Sequence, residues 1–246
     1  MKELSVYKKI ALNVVKIGQK KFNKNMYKYN ILDENIGREV KIRADKELND
    51  ILIEELNKKS SFNILSEENE DNTLLKGEYN WILDPLDGSY NYYRGIPIYC
   101  ISLALWNGYE PVLGVIYDLT KNDIYHTIIG ESAYKNKDQI NVSEVKDYSE
   151  ASISTGFPVN FTYSRSSVTK FIDNVQKYKK IRLFGSAGMS LTFLASGKID
   201  AYFEENIMIW DVAAGISLVK GAGGQVRYRN GSIKNSLIVS ASNNFL

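Results

Sequence analysis

The sequence predicts an α+β fold in layers, with an antiparallel sheet leading and an α/β half following. Three observations support this. Two amphipathic helical stretches open the chain. Between residues 97 and 135, strand-like runs follow one another with only turns between them. From residue 151 onward, strand-like and helix-like runs alternate.

The elements follow from spacing. Tyr7, Ile10, Ala11, Val14 and Gly18 form one stripe, which predicts a helix over 3–23. Residues 24–43 hold Asn25, Asn30, Asn35 and Gly37, which predicts an irregular, mobile connection. Leu48, Ile51, Leu52, Glu55 and Leu56 predict a helix over 45–58. A short strand, Phe62 to Ser66, runs into Glu67-Glu68, and 69–78 reads as loop. Trp81-Ile82-Leu83 reads as a buried strand that delivers Asp84. Alternation over residues 98–106, the turn pair Asn107-Gly108 and the return from Val112 to Tyr117 make a hairpin. Asp123 to Thr127 and Glu131 to Tyr134 continue the meander. Strands are then expected at 152–156, 181–184, 199–203, 225–228 and 237–240, and helices at 166–178, 187–196 and 210–221. A boundary at Lys146-Asp147-Tyr148-Ser149-Glu150 divides residues 1–147 from 148–246.

Composition narrows the function. The 246 residues are 44% hydrophobic and 24% charged, enough for a sizeable core. Lys+Arg number 31 and Asp+Glu 29, a net charge of +2, which gives no support to a nucleic-acid or membrane-surface partner. No stretch approaches the roughly 20 apolar residues of a membrane span. The first twenty residues show no signal-peptide core. Cys100 is alone, so no intrachain disulfide forms, which is compatible with a cytoplasmic location.

The chemistry lies in two acidic clusters set among apolar residues: Asp84-Pro85-Leu86-Asp87-Gly88-Ser89, and Trp210-Asp211. A buried carboxylate without compensation is costly, so such a site tends to hold a cation. One His and one Cys leave oxygen donors, which favour a hard ion such as Mg²⁺. Pro85 holds Asp84 extended, and Asp84 and Asp87 converge across a tight turn. A helical turn beginning at Ser89 offers N–H groups to phosphate oxygens. Taken singly, Asp211 and Asp45 read as helix-capping acids, and Glu67-Glu68 as a solvated strand end. Gly185-Ser186-Ala187-Gly188 lacks the Lys-Ser/Thr of a nucleotide P-loop. His126 and Cys100 read as structural.

Taken together, the motifs resemble the inositol monophosphatase family of Mg²⁺-dependent, Li⁺-sensitive phosphatases. Asp45, Glu67-Glu68, Asp84 to Ser89 and Trp210-Asp211 occur in the family's order, and Gly223-Gly224 follow after residues 212–222. Trp81, Asn91, Gly185-Ser186-Ala187, Asp200-Ala201-Tyr202 and Ala241-Ser242-Asn243 extend the resemblance over about 5–245. Arg94-Gly95-Ile96-Pro97 looks closest to the archaeal branch, whose members act on inositol monophosphate and fructose 1,6-bisphosphate. The resemblance implies a layered αβαβα sandwich of the sugar-phosphatase type, a homodimer, and a small-molecule phosphate ester as substrate. It implies two or three Mg²⁺ ions held by Glu67, Asp84, the Leu86 carbonyl, Asp87 and Asp211. Asp45, Glu67 and Ser89 would be catalytic, with Ser89 oriented by Asp45. Gly88 and Ser89 would bind phosphate, while Asp87, Ala187, Glu204 and Arg182 would contact substrate. Arg165 and Lys170 are further candidates for a second phosphate. Several positions depart from the pattern: Ser89 stands where Thr is usual, Ile42 where Thr is common, Lys220-Gly221-Ala222 where Glu-Ala often precedes Gly-Gly, and Glu205-Asn206 where the dual-activity enzymes carry an Arg. The competing expectation is a family scaffold that mainly binds protein or RNA.

Overall fold

The computed structural model describes residues 2–36, 39–69, 73–157, 161 and 163–246. Helix α1 (Lys2–Tyr29) is followed by strands β1 (Leu32–Ile36) and β2 (Glu39–Ile42), then helix α2 (Arg43–Asn57). Two differences from the sequence reading lie here. Helix α1 outlasts residue 23 because Tyr29 is buried and the Tyr92 hydroxyl donates to the Met26 carbonyl. The stretch expected to be irregular contains an antiparallel pair, with Leu32 opposite Ile42. Asn25 belongs to α1, Asn30 to the short connection after it and Asn35 to β1; Gly37 lies outside the described residues.

A seven-stranded sheet follows. Strand β3 (Asn63–Ser66) pairs in parallel with β4 (Asn80–Asp87). Strand β4 pairs antiparallel with β5 (Cys100–Trp106), beyond the short helix α3 (Ser89–Tyr93). The meander continues through β6 (Pro111–Asp118), β7 (Asp123–Ile128), β8 (Tyr134–Lys135) and β9 (Asp138–Gln139). Both faces of this sheet are covered. Trp81, Leu83, Ile101, Leu103 and Val115 pack with α1 and α2, while Ile82, Ala104 and Ile116 pack on the opposite side. Period-two alternation sorts the side chains.

The second half comprises β10 (Ser152–Thr155), α4 (Arg165–Val175), β11 (Lys180–Arg182), α5 (Ala187–Ala195), β12 (Ala201–Met208), α6 (Ile209–Gly221), β13 (Gln225–Asn230) and β14 (Ser236–Ser242). Its sheet runs β11-β10-β12-β14-β13. Helices α5 and α6 fill the space between the two sheets, and α4 covers the outer face, where its Phe171 and Val175 pack with Ile153, Ala201 and Phe203 of the sheet. The layers are therefore α1/α2, sheet, α5/α6, sheet and α4, the αβαβα sandwich that the resemblance implied. Gly114 permits the central contact: a Cβ there would stand 2.4 Å from the Ala214 carbonyl oxygen of α6. No helix among the described residues is long and apolar enough to cross a membrane.

Candidate metal-assisted active site

Strand β4 continues through Asp87 rather than ending at Asp84. A register shift makes this useful. Asp84 lies opposite Ser102 and Asp87 opposite Cys100, so β4 spends one residue more than β5 over this span. In a regular strand, residues three apart point to opposite faces; the extra residue puts Asp84 and Asp87 on one face. That face looks toward α5 and α6, whereas Leu86 joins the core beneath α1 and α2. Asp84 Oδ1 accepts a 2.9 Å hydrogen bond from Leu86 N–H, which closes the turn. Gly88 follows with φ +84°, and a Cβ there would meet the Ile98 carbonyl oxygen at 2.7 Å, so the turn needs glycine.

The second half brings helix N-termini to this turn. Asp87 Oδ2 accepts from Ser186 Oγ at 2.5 Å and from Gly188 N–H at 2.7 Å, at the start of α5. Ser186 also caps α5, accepting from Met189 N–H at 3.2 Å. Asp211 lies in the first turn of α6. Asn91 ties the halves together: its Nδ2 donates to the Ile98 carbonyl (2.9 Å) and to the Phe184 carbonyl (2.7 Å).

A cleft of about 560 Å³ opens here. Glu67, Asp84, Leu86, Asp87, Gly88, Ser89, Ala187, Glu204 and Asp211 all line it. Nine predicted site residues, separated by up to 144 positions, thus share one cavity. Asp84 and Asp87 form its buried floor, while Glu67 and Asp211 keep a side toward water. Two predicted residues are not in its lining. Asp45 is buried at the start of α2 and accepts from Ile42 N–H at 2.9 Å. Arg182 lies exposed on the edge strand β11, its guanidinium donating to the Ile181 carbonyl. Lys170 is paired with Glu205 at 2.8 Å.

The electrostatics are those of crowded acids. Asp84 is pushed well above the usual carboxylate range, first by burial and then by Glu67, Asp87 and Asp211. Asp211 is raised by burial, then by Glu67, Asp87 and Glu204. Burial and the neighbouring Glu68 lift Glu67 to about 7, against the pull of Asp84 and Lys41. Asp87 is raised by burial although Ser186, Gly188 and Cys100 all donate to it. Glu204, buried beside its Tyr202 donor, stands at about 7. Asp45 stands at about 8, chiefly through burial. The Asp84 carboxyl is crowded by those of Glu67, Asp87 and Asp211, and such crowding is relieved by a proton or a cation.

Oxygen-only donors under mutual repulsion fit hard divalent ions such as Mg²⁺. Among the described residues, no three acidic, His or Cys side chains converge on one point as a finished ion site. The acids are assembled around a shared space, and bringing them onto an ion is left to the ion's own charge.

Sequence reasoning overlooked some neighbours. Lys41 and Lys234 line the cleft, the first from the segment expected to be irregular. Cys100 is a buried core residue as expected, but its Sγ also lies 3.5 Å from Asp87 Oδ2. Nothing in the local sequence of these residues marks them as belonging to a site.

Comparison with known proteins agrees with this geometry. A profile described as the inositol monophosphatase family matches residues 5–245. A Thermotoga maritima protein named fructose-1,6-bisphosphatase/inositol-1-monophosphatase is 33% identical over 211 residues, covering 85% of this chain and 77% of its own length. A Xylella fastidiosa protein named Nus factor SuhB is 37% identical over 187 residues, covering 74% of this chain and 66% of its own. A similarly named dual-activity protein from Thermococcus kodakarensis is 33% identical over 237 residues, covering 92% and 85%. The relatives are thus divided between SuhB and dual-activity proteins, and do not single out the archaeal branch. The inositol monophosphatase from Anabaena (Nostoc) sp. PCC 7120 superimposes with a TM-score of 0.81 at 27% identity, covering 100% of this chain and 93% of that one.

Proposed function

This chain belongs to the inositol monophosphatase family, and we propose that it is a Mg²⁺-dependent phosphomonoesterase acting on small polyol or sugar phosphates, inositol monophosphate or fructose 1,6-bisphosphate among them. The observation that carries this reading is that Glu67, Asp84, Asp87 and Asp211 line one cleft, with the Gly88-Ser89 turn beside them.

In this reading Glu67, Asp84, the Leu86 carbonyl, Asp87 and Asp211 hold two or three ions. When bound, these would supply Lewis-acid charge to the phosphate and its leaving oxygen and acidify water. The first N–H groups of α3 lack intrahelical acceptors and receive phosphate oxygens at Gly88 and Ser89. Ser89 Oγ orients the attacking water. Asp45 lies outside the cleft lining and, ionising at about 8, is largely protonated near neutral pH, so in this reading it acts through Ser89 rather than on the water itself. The polyol lies against Ala187 and Glu204 on the far wall. Arg182 has no part in this arrangement.

Phosphate release from inositol 1-phosphate, fructose 1,6-bisphosphate and 3′-phosphoadenosine 5′-phosphate, with and without Mg²⁺, tests the reading. Mg²⁺-dependent release from at least one of the first two is expected. No release from any would overturn it and favour a second reading, a protein- or RNA-binding role, to which the SuhB-named relatives point.

A further inference from the structure

A second cavity, of about 200 Å³, adjoins the cleft between α4 and β12. The two share Thr155, Gly156, Glu204 and Asn206 as a common wall. Phe161, Phe171 and Phe203 line the smaller cavity. Phe157, on the cleft side, meets Phe171 and Phe161 with ring centroids at 4.5 and 4.8 Å. Phe171 and Phe203 also pack on buried Ile153, Val175 and Ala201, which fixes them as walls. The partition is thin because residue 156 is glycine: a Cβ there would fall 1.9 Å from Glu204 Oε1.

We propose that this cavity is a subsite for an aromatic ring carried by the phosphorylated alcohol, so that the enzyme's substrates include aryl-bearing phosphate esters. The inference rests on the phosphomonoesterase reading of the adjoining cleft. Size supports it, since the cavity exceeds the roughly 150 Å³ that accommodates benzene, and polar Ser167, Lys170, Asn174 and Glu205 complete the wall around the three rings. The aromatic walls favour edge and face contacts with a ring. Charge argues against a second phosphate here, because the ammonium of Lys170 is paired with Glu205 at the rim. The ring would enter past Glu204, one of the four residues that line both spaces.

The test compares 2-phenylethyl phosphate with ethyl phosphate, which share an alkyl leaving group and differ by the ring. Wild-type kcat/KM is expected to favour the phenylethyl ester by about 10-fold or more. Ser167→Trp places an indole in the cavity from α4. It should erase that preference while leaving ethyl phosphate turnover within about twofold. Asn174→Trp is a second plug from the exposed rim, should the first variant not fold by circular dichroism. Saturation-transfer NMR on the metal-free protein reads ring contact without turnover, and the signal from the phenyl protons should vanish in the plugged variants. Ring contact without hydrolysis of either ester would keep the subsite and remove the phosphatase reading. Equal rates on both esters, or a preference that survives both plugs, would overturn the subsite.

Discussion

The cleft and the cavity beside it are built differently. In the cleft, every residue of β4 from Asn80 to Asp87 is buried, and the acids at its end accept hydrogen bonds from β4 itself, from β5 and from the start of α5. In the adjoining cavity, the wall formed by α4 buries only Val175 among the helix's residues and leaves Val168 and Ile172 37% and 47% exposed. The reacting groups are held by the core, whereas the outer wall of the cavity is peripheral. A change in the first should disturb chemistry or folding. A change in the second should alter which alcohol fits and little else.

The largest effect is expected from Asp84→Asn. Losing an acid that shares the cleft with Glu67, Asp87 and Asp211 should reduce turnover by about 10³-fold or more, several kcal/mol of charge stabilisation. The fold should survive, because the uncharged amide removes repulsion; phosphate release and thermal melting measure the two. Ser89→Ala is expected to reduce kcat by about 10²-fold with little change in melting temperature. An unchanged rate would exclude its hydroxyl from positioning water. Gly114→Ala forces a methyl group against the Ala214 carbonyl and should cost about 1–3 kcal/mol in urea unfolding without selective loss of catalysis.

A pH effect sharpens the comparison further. Unfolded carboxyls titrate near 4, whereas Glu67 and Glu204 hold protons to about 7 and Asp45 to about 8. Between these values the folded protein binds more protons than the unfolded chain, so metal-free stability should fall as pH rises from about 4 to about 8. Melting in chelator across this range should show the decline, and Mg²⁺ should flatten it. The smallest effect belongs to α4: Ile172→Ser should change stability by no more than about 0.5 kcal/mol and leave turnover of small esters unchanged.

How much was readable beforehand differs along the chain. Helix α2 and the strands of the meander were legible because their apolar spacing survives burial on both sides. The β1–β2 pair was not, since short strands rich in Asn and charge resemble loop until a partner is in place. The end of α1 was set by the burial of Tyr29 and by Tyr92, 66 residues away from the Met26 carbonyl it binds. Asp84, Asp87 and Asp211 were legible as candidates from their motifs. Lys41, Lys234 and the approach of Cys100 to Asp87 were not, because each becomes relevant only through proximity in space.

The order of acids, glycines and apolar runs along the chain was sufficient to predict a layered α+β fold and to nominate the candidate acids, and the resemblance those motifs carry gave the family. Only the tertiary structure decided that one extra residue in β4 turns Asp84 and Asp87 to the same face, that two helix N-termini meet them there, and that a glycine at 156 leaves an aromatic cavity next to Glu204. The reason is physical. Motif and periodicity are local properties of a chain, whereas register, close approach and mutual charge repulsion exist only between segments that folding has brought together.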